Sequence, residues 1–161
     1  MREELEGGFE LDDDSTRIDV AEVHRFLSTE SYWAKGRPYE TQERLVREAN
    51  RVVGLYHEGR QIGFSRTVSD GVAITYLADV YVLPEYRGRG FGNRLVRFSV
   101  ERGPFARMRW VLNTADAQGL YKKLGFATPG AGTMERQALS RGSNRTKPSD
   151  NPARLEREKD P

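Results

Sequence analysis

LADVYVLPEYRGRGFGNRLVRFSVE, residues 77–101, reads as a strand, a glycine-rich turn and a helix in direct succession. From Ala73 to Leu83 the chain concentrates β-branched and aromatic residues (Ile74, Thr75, Tyr76, Val80, Tyr81, Val82), as a strand requires. Pro84 ends it by lacking a backbone donor. Past the turn, Phe91, Leu95 and Phe98 recur at helical spacing with Val96 and Val100 beside them, while Asn93, Arg94, Arg97 and Glu101 fall on the other side. The helix therefore starts near Gly90. Between the two elements, Arg87, Gly88, Arg89, Gly90, Phe91 and Gly92 form the turn, whose glycines allow φ above zero and a close approach to the main chain, so the free N–H groups of the first helical turn can converge on an anion, of which pyrophosphate is the best match. The helix dipole favours negative charge there by about 0.3 to 1 kcal/mol, and Arg87 and Arg89 add full charges. A Walker A loop is excluded, because Gly92 is followed by Asn93 and Arg94. A dinucleotide fingerprint beginning at Gly88 would need glycine where Asn93 stands.

Outward from this unit the chain supplies more strands and helices. Val52–Tyr56 and Gln61–Val68 read as strands joined by His57-Glu58-Gly59-Arg60, and Ser69-Asp70-Gly71 turns the second into the strand before the glycine turn, giving an antiparallel meander. After the central helix Gly103-Pro104 breaks the chain, and Arg109–Asn113 forms a strand that a right-handed crossover sets parallel to the one ending at Leu83. A ligand would then lie at the carboxyl ends of that pair. Thr114 to Gly125 reads as a short helix capped by Thr114, with Gly119 inside it marking either a ligand against the backbone or close helix packing.

Toward the N-terminus, Asp19 caps a helix reaching about residue 29, and Thr41–Asn50 forms a second. Between them lies an aromatic loop with Tyr32, Trp33 and Tyr39, which marks either a binding surface or a plug for one edge of the core. Gly8-Phe9-Glu10-Leu11 can form a short first strand, residues 1–7 read as flexible, Thr128–Arg136 can add a last strand or two, and residues 140–161 read as a disordered polar tail.

Arg87-x-x-Gly90-x-Gly92, directly after a strand ending Val82-Leu83-Pro84, resembles the acyl-CoA binding motif of the GNAT N-acetyltransferase family, and Leu120-Tyr121-x-x-x-Gly125-Phe126 resembles that family's second signature. Together they cover about residues 73 to 126. The resemblance implies one α/β (α+β) domain over 8–139, with a mixed, mostly antiparallel sheet, a central parallel strand pair and helices on both faces. It implies acetyl-CoA as co-substrate, held by Val82, Leu83, Arg87, Gly88, Arg89, Gly90, Gly92 and Asn93. Transfer would be direct, to a primary amine of a small molecule, with a protein or peptide amine as the alternative acceptor. Tyr121 matches the position that often protonates or stabilises the leaving thiolate, Asp79 is the best-placed carboxylate for a general base or else a structural acceptor, and Tyr32 and Trp33 fall in the acceptor-pocket segment. Many relatives have asparagine where Thr114 stands. A CoA-binding module without turnover, or an interaction protein using the Tyr32-Trp33 surface, are the other readings.

Composition narrows the classes further. The 161 residues suit one domain, and no run approaches the roughly 18 to 20 apolar residues of a membrane span. The acidic N-terminus lacks the pattern of a signal peptide, so the cytoplasm is the expected location. With no cysteine there is no disulfide or thiolate nucleophile, and two isolated histidines argue against a metal site. Net charge is +2, from 26 basic and 24 acidic side chains, and gives no general attraction for nucleic acid. The resemblance makes a small-molecule amine the expected partner, with a homodimer left open.

Overall fold

The computed structural model describes residues 1–136. Within Met1–Ala127, one compact unit, six strands form a single sheet in sequence order. They are β1 (Arg2–Leu5), β2 (Phe9–Asp12), β3 (Arg51–His57), β4 (Arg60–Ser69), β5 (Ile74–Val82) and β6 (Arg109–Val111). Helices α1 (Val20–Glu30) and α2 (Tyr39–Arg47) lie between β2 and β3, α3 (Phe91–Glu101) crosses from β5 to β6, and α4 (Gln118–Lys122) follows β6. All neighbouring strands are antiparallel except β5 and β6, which are parallel. The parallel pair expected at the centre forms the last two strands of the sheet among the described residues.

Helices cover both faces, and consecutive residues of β4 show it. Phe64 packs toward Tyr81, whose ring stacks on Phe26 of α1 at 4.1 Å, whereas Ser65 Oγ meets Ser99 Oγ of α3 at 2.8 Å. Leu11, Val23, Leu27, Val53, Leu55, Ile62, Phe64 and Leu95 are wholly buried in the shared core, each worth about 1.5 to 3 kcal/mol. Leu77, Val96, Val100 and Tyr121 make a second cluster under α4.

Two anchors position the helices. Asp19 caps α1, its side chain accepting from Glu22 N. At the far end of α3, the buried Arg51 guanidinium donates to the carbonyls of Ser99 (2.8 Å) and Arg102 (2.7 Å) and pairs with Asp13 at 3.0 Å. A cation on the last carbonyls of a helix satisfies both their lone pairs and the dipole.

Several local expectations change. The segment read as flexible, residues 1–7, holds β1, in register with β2 from Arg2↔Asp12 to Leu5↔Phe9 across a turn with Gly7 and Gly8 at φ 76° and 75°. Arg2 pairs with Glu10 of β2 at 2.5 Å, and Arg17, just beyond β2, pairs with Asp12 at 2.5 Å, so the two acids of β2 are balanced in the fold. Helix α2 begins at Tyr39 because Pro38 presets the entry, and ends at Arg47 because Asn50 is drawn into the sheet, its N–H donating to Thr67 O. Thr114 does not cap α4 itself. Its hydroxyl accepts from Ala117 N, capping the turn before a helix that starts at Gln118. No strand occurs in Thr128–Arg136 among the described residues, where Pro129, Gly130 and Gly132 break any ladder and Thr133 N closes a turn on Gly130 O. The expected tail at 140–161 lies outside the described residues.

Candidate active site

The glycine turn forms as a bare helix N-terminus. Gly88 and Gly90 are both left-handed (φ 75° and 83°), Gly90 is the N-cap of α3, and no side chain caps it. The N–H groups of Phe91, Gly92 and Asn93 therefore lack intrahelical partners; the first such bond runs from Arg94 N to Gly90 O. A Cβ on Gly88 or Gly90 would meet nothing within 4 Å, so backbone conformation, rather than crowding, demands glycine there. Gly92 differs: its Cβ would stand 3.1 Å from Leu120 Cδ1, and its small size lets α3 approach α4.

The flanking arginines are positioned by neighbours. Arg87 Nε donates to Val82 O at 2.8 Å, and the Arg89 guanidinium sits 5.0 Å over Phe9 and 5.1 Å over Phe91. Both residues remain exposed.

Beyond the turn, β5 and β6 part company. Their pairing runs only from Ile74↔Arg109 to Tyr76↔Val111, so β5 continues from Leu77 to Val82 with no partner on that side. Leu83 N donates to Ile62 O, which turns Val82, one residue back, toward the gap. Leu83, expected to share in holding a ligand arm, has both main-chain groups engaged, since its carbonyl accepts from Tyr86 N, and its side chain is buried. Val82 carries the open position through its N–H, its carbonyl already accepting from Arg87 Nε.

In the unpartnered stretch the ladder to β4 slips between Phe64 and Arg66, and Asp79 adopts φ 52°. Its carboxylate is buried and bridges two cations. Oδ1 accepts from Arg37 Nη1 at 3.1 Å and Oδ2 from Arg66 Nε at 2.8 Å. The residue expected as a general base thus has both oxygens committed to guanidinium groups. Arg37 also donates to Gln42 Oε1 at 2.7 Å, and its carbonyl is held by His24 Nε2 at 2.9 Å.

Across the gap, Tyr121 projects from α4 into the second cluster, edge-on to Phe126 at 5.7 Å. Burial first, then Tyr32, Asp116 and Tyr76, push its phenol up to about 12. Gly125 (φ 83°) ends α4, with Phe126 N donating to Tyr121 O and Gly125 N to Lys122 O, the paired bonds of a Schellman cap. A Cβ on Gly119 would meet open space, which removes close packing as its reason. The aromatic loop spans the gap: Ala115 N donates to Tyr32 Oη at 2.9 Å on the β6 side, while Arg37 of the same loop reaches Asp79 on the β5 side. Tyr32 and Trp33 form an edge-to-face pair at 4.9 Å and stay exposed. Tyr39, the third aromatic, stands edge-on to His24.

Arg37, Gln42 and Arg66 are site residues that sequence reasoning missed. Arg66 did carry a signal: it lies between Phe64 and Val68, where a period of two calls for a third apolar residue on one face.

A sequence model described as the acetyltransferase (GNAT) domain matches residues 48–128. A Gibberella zeae protein whose name places it among acetyltransferases is 38% identical over 69 residues, 41% of this chain and 38% of that relative, so well under two thirds of the relative is spanned. A solved structure from Xanthomonas campestris pv. campestris, described as belonging to the GNAT family, aligns over 81% of this chain and 93% of its own at 34% identity, with a TM-score of 0.76. Another, described as an acetyltransferase from Deinococcus radiodurans R1, covers 84% of this chain and 94% of its own, with a TM-score of 0.65 at 20% identity, and attests the fold alone.

Proposed function

Because this chain belongs to the GNAT acetyltransferase family, we propose that it moves an acetyl group from acetyl-CoA to the primary amine of a small molecule within one ternary complex. The observation that carries the reading is the bare start of α3, where uncapped N–H groups sit behind two left-handed glycines with Arg87 and Arg89 alongside. That arrangement is complementary to a diphosphate. The unpartnered half of β5 beside it is complementary to an extended amide-bearing arm, which Val82 can bind as a strand would. No helix among the described residues is long and apolar enough to cross a membrane.

In this reading Gly88, Gly90, Gly92 and Asn93 hold the pyrophosphate through the main chain, and the irregularity at Asp79 leaves a backbone donor to polarise the thioester carbonyl. The amine nitrogen, in its free-base form, attacks that carbon. The C–N bond forms, the C–S bond breaks, CoA leaves as thiolate, and the nitrogen's extra proton passes to water. Holding the two reactants in register removes much of the entropic barrier. Tyr121 steadies the departing sulfur. With its phenol pushed up to about 12, well above the roughly 8.5 of an ordinary thiol, it donates a hydrogen bond rather than surrendering its proton. Asp79 orients Arg37 and Arg66 and is not assigned the base role.

The test is a thermal shift with acetyl-CoA followed by CoA-thiol release against an amine panel. Wild type should show both, and Gly90→Asp should lose the shift by placing a charge against the phosphate. A shift without thiol release would leave a binding module, and an undiminished shift in Gly90→Asp would refute the turn assignment.

A further inference from the structure

On the premise that this site acetylates an amine, we infer that the acceptor carries an anionic group, a carboxylate in the simplest case, and that Arg37 and Arg66 select it. The charge count around Asp79 points there. Arg37 and Arg66 share Asp79, and no other carboxylate lies within ion-pair distance of either among the described residues. The trio carries one unbalanced positive charge with side chains only 18%, 11% and 2% exposed for Arg37, Arg66 and Asp79. A cation held largely out of water is costly without a counter-ion.

Hydrogen bonding repeats the imbalance. Asp79 accepts one N–H from each arginine and Gln42 accepts another, yet neither Nη of Arg66 has a protein partner among the described residues. Those groups are absent from the sealed, unpartnered atoms, so they keep contact with solvent. Gln42 Nε2, next to the same guanidinium, is buried with no acceptor. The cluster offers donors and lacks an acceptor. A planar carboxylate complements a free guanidinium fork, and phosphate shares that chemistry.

Its place in the fold suits an acceptor. Arg66 lies on the sheet face opposite Ser65, the face of α1, with Tyr76 and Ala78 of β5 beside it and only partly covered. Arg37 belongs to the loop that carries Tyr32 and Trp33. Asp79 is three residues from Val82, whose main chain faces the gap proposed for the thioester arm. An amine reaching that thioester leaves its other end beside the two arginines.

The experiment compares matched acceptors: glycine, β-alanine and longer ω-amino acids, each against its amide, with phosphoethanolamine as the phosphate arm. Carboxylates, or the phosphate arm if that is the true group, should exceed the amides in kcat/KM by about ten- to hundredfold. Arg66→Gln and Arg37→Gln should each bring that ratio toward one, chiefly through KM. Binding is read separately, by calorimetry of N-acetylglycine and N-acetylglycinamide on CoA-saturated protein, with the acid alone binding measurably and Arg66→Gln abolishing it. Equal use of acids, phosphates and amides would overturn the inference while leaving acetyl transfer intact, as would variants that lower all acceptors equally. Selective acid binding with no amine acetylated would uphold the anion site and end the transfer reading.

Discussion

Replacing Asp79 by asparagine separates two roles that one carboxylate can have. The substitution keeps shape and one acceptor oxygen, and asparagine tolerates the φ of 52° found there, so backbone strain adds little. What changes is the charge between Arg37 and Arg66, whose bonds to Asp79 are 3.1 and 2.8 Å long. Breaking a buried pair by removing one partner costs about 3 to 5 kcal/mol, and the retained acceptor places this case near the lower figure. For a domain of this size about 1 kcal/mol lowers Tm by roughly 3 to 5 °C, so Asp79→Asn should melt about 10 to 15 °C below wild type. A general base behaves otherwise. Its loss would lower kcat by about a hundred- to ten-thousandfold, and the ascending limb of the pH–rate profile would change. Melting curves and pH profiles of both proteins decide the matter: a Tm within about 2 °C of wild type together with a hundredfold loss of kcat would refute the anchoring role.

Tyr121→Phe should lower kcat about ten- to hundredfold with KM for acetyl-CoA little changed, and wild type should show no descending limb from this phenol below about pH 11 in steady-state rates. Burial pushes Tyr56 and Tyr121 each up to about 12, from an ordinary phenol near 10. The folded state keeps these protons after the unfolded chain releases them, so the stability they contribute is whole below about pH 10 and is lost as pH rises to about 12. Urea titrations across that window should show the fall, and Tyr121→Phe should shrink it. Arg51→Met should cost about 3 to 5 kcal/mol in urea unfolding, because Asp13 and the carbonyls of Ser99 and Arg102 lose their partner; a loss under 1 kcal/mol would contradict the capping assignment.

The half of the site made of main chain was legible because it is contiguous. A strand rich in β-branched residues, a Pro84 stop and glycines at 88, 90 and 92 before a helical stripe specify a bare N-terminus without reference to anything distant. The half made of side chains was not. Arg37 and Asp79 are 42 residues apart, Arg66 and Asp79 13, and their meeting depends on a loop geometry and a strand slip that leave no periodic trace. Strand β1 was hidden for a related reason. Residues 1–7 read as flexible until the register lays Arg2–Leu5 along Phe9–Asp12 and brings Arg2 to Glu10. For Leu83, alternation along a strand says which residues face a gap only once the pairing to Ile62 is known.

The two ends of α3 are treated unlike each other, with Arg51 closing one and nothing closing the other. A helix stapled at its tail need not wait for a guest at its head in order to form. The apoprotein should therefore mature and persist with this element already wound, its amides from about Leu95 onward slow to exchange, and cargo can come and go at every turnover without the scaffold being rebuilt.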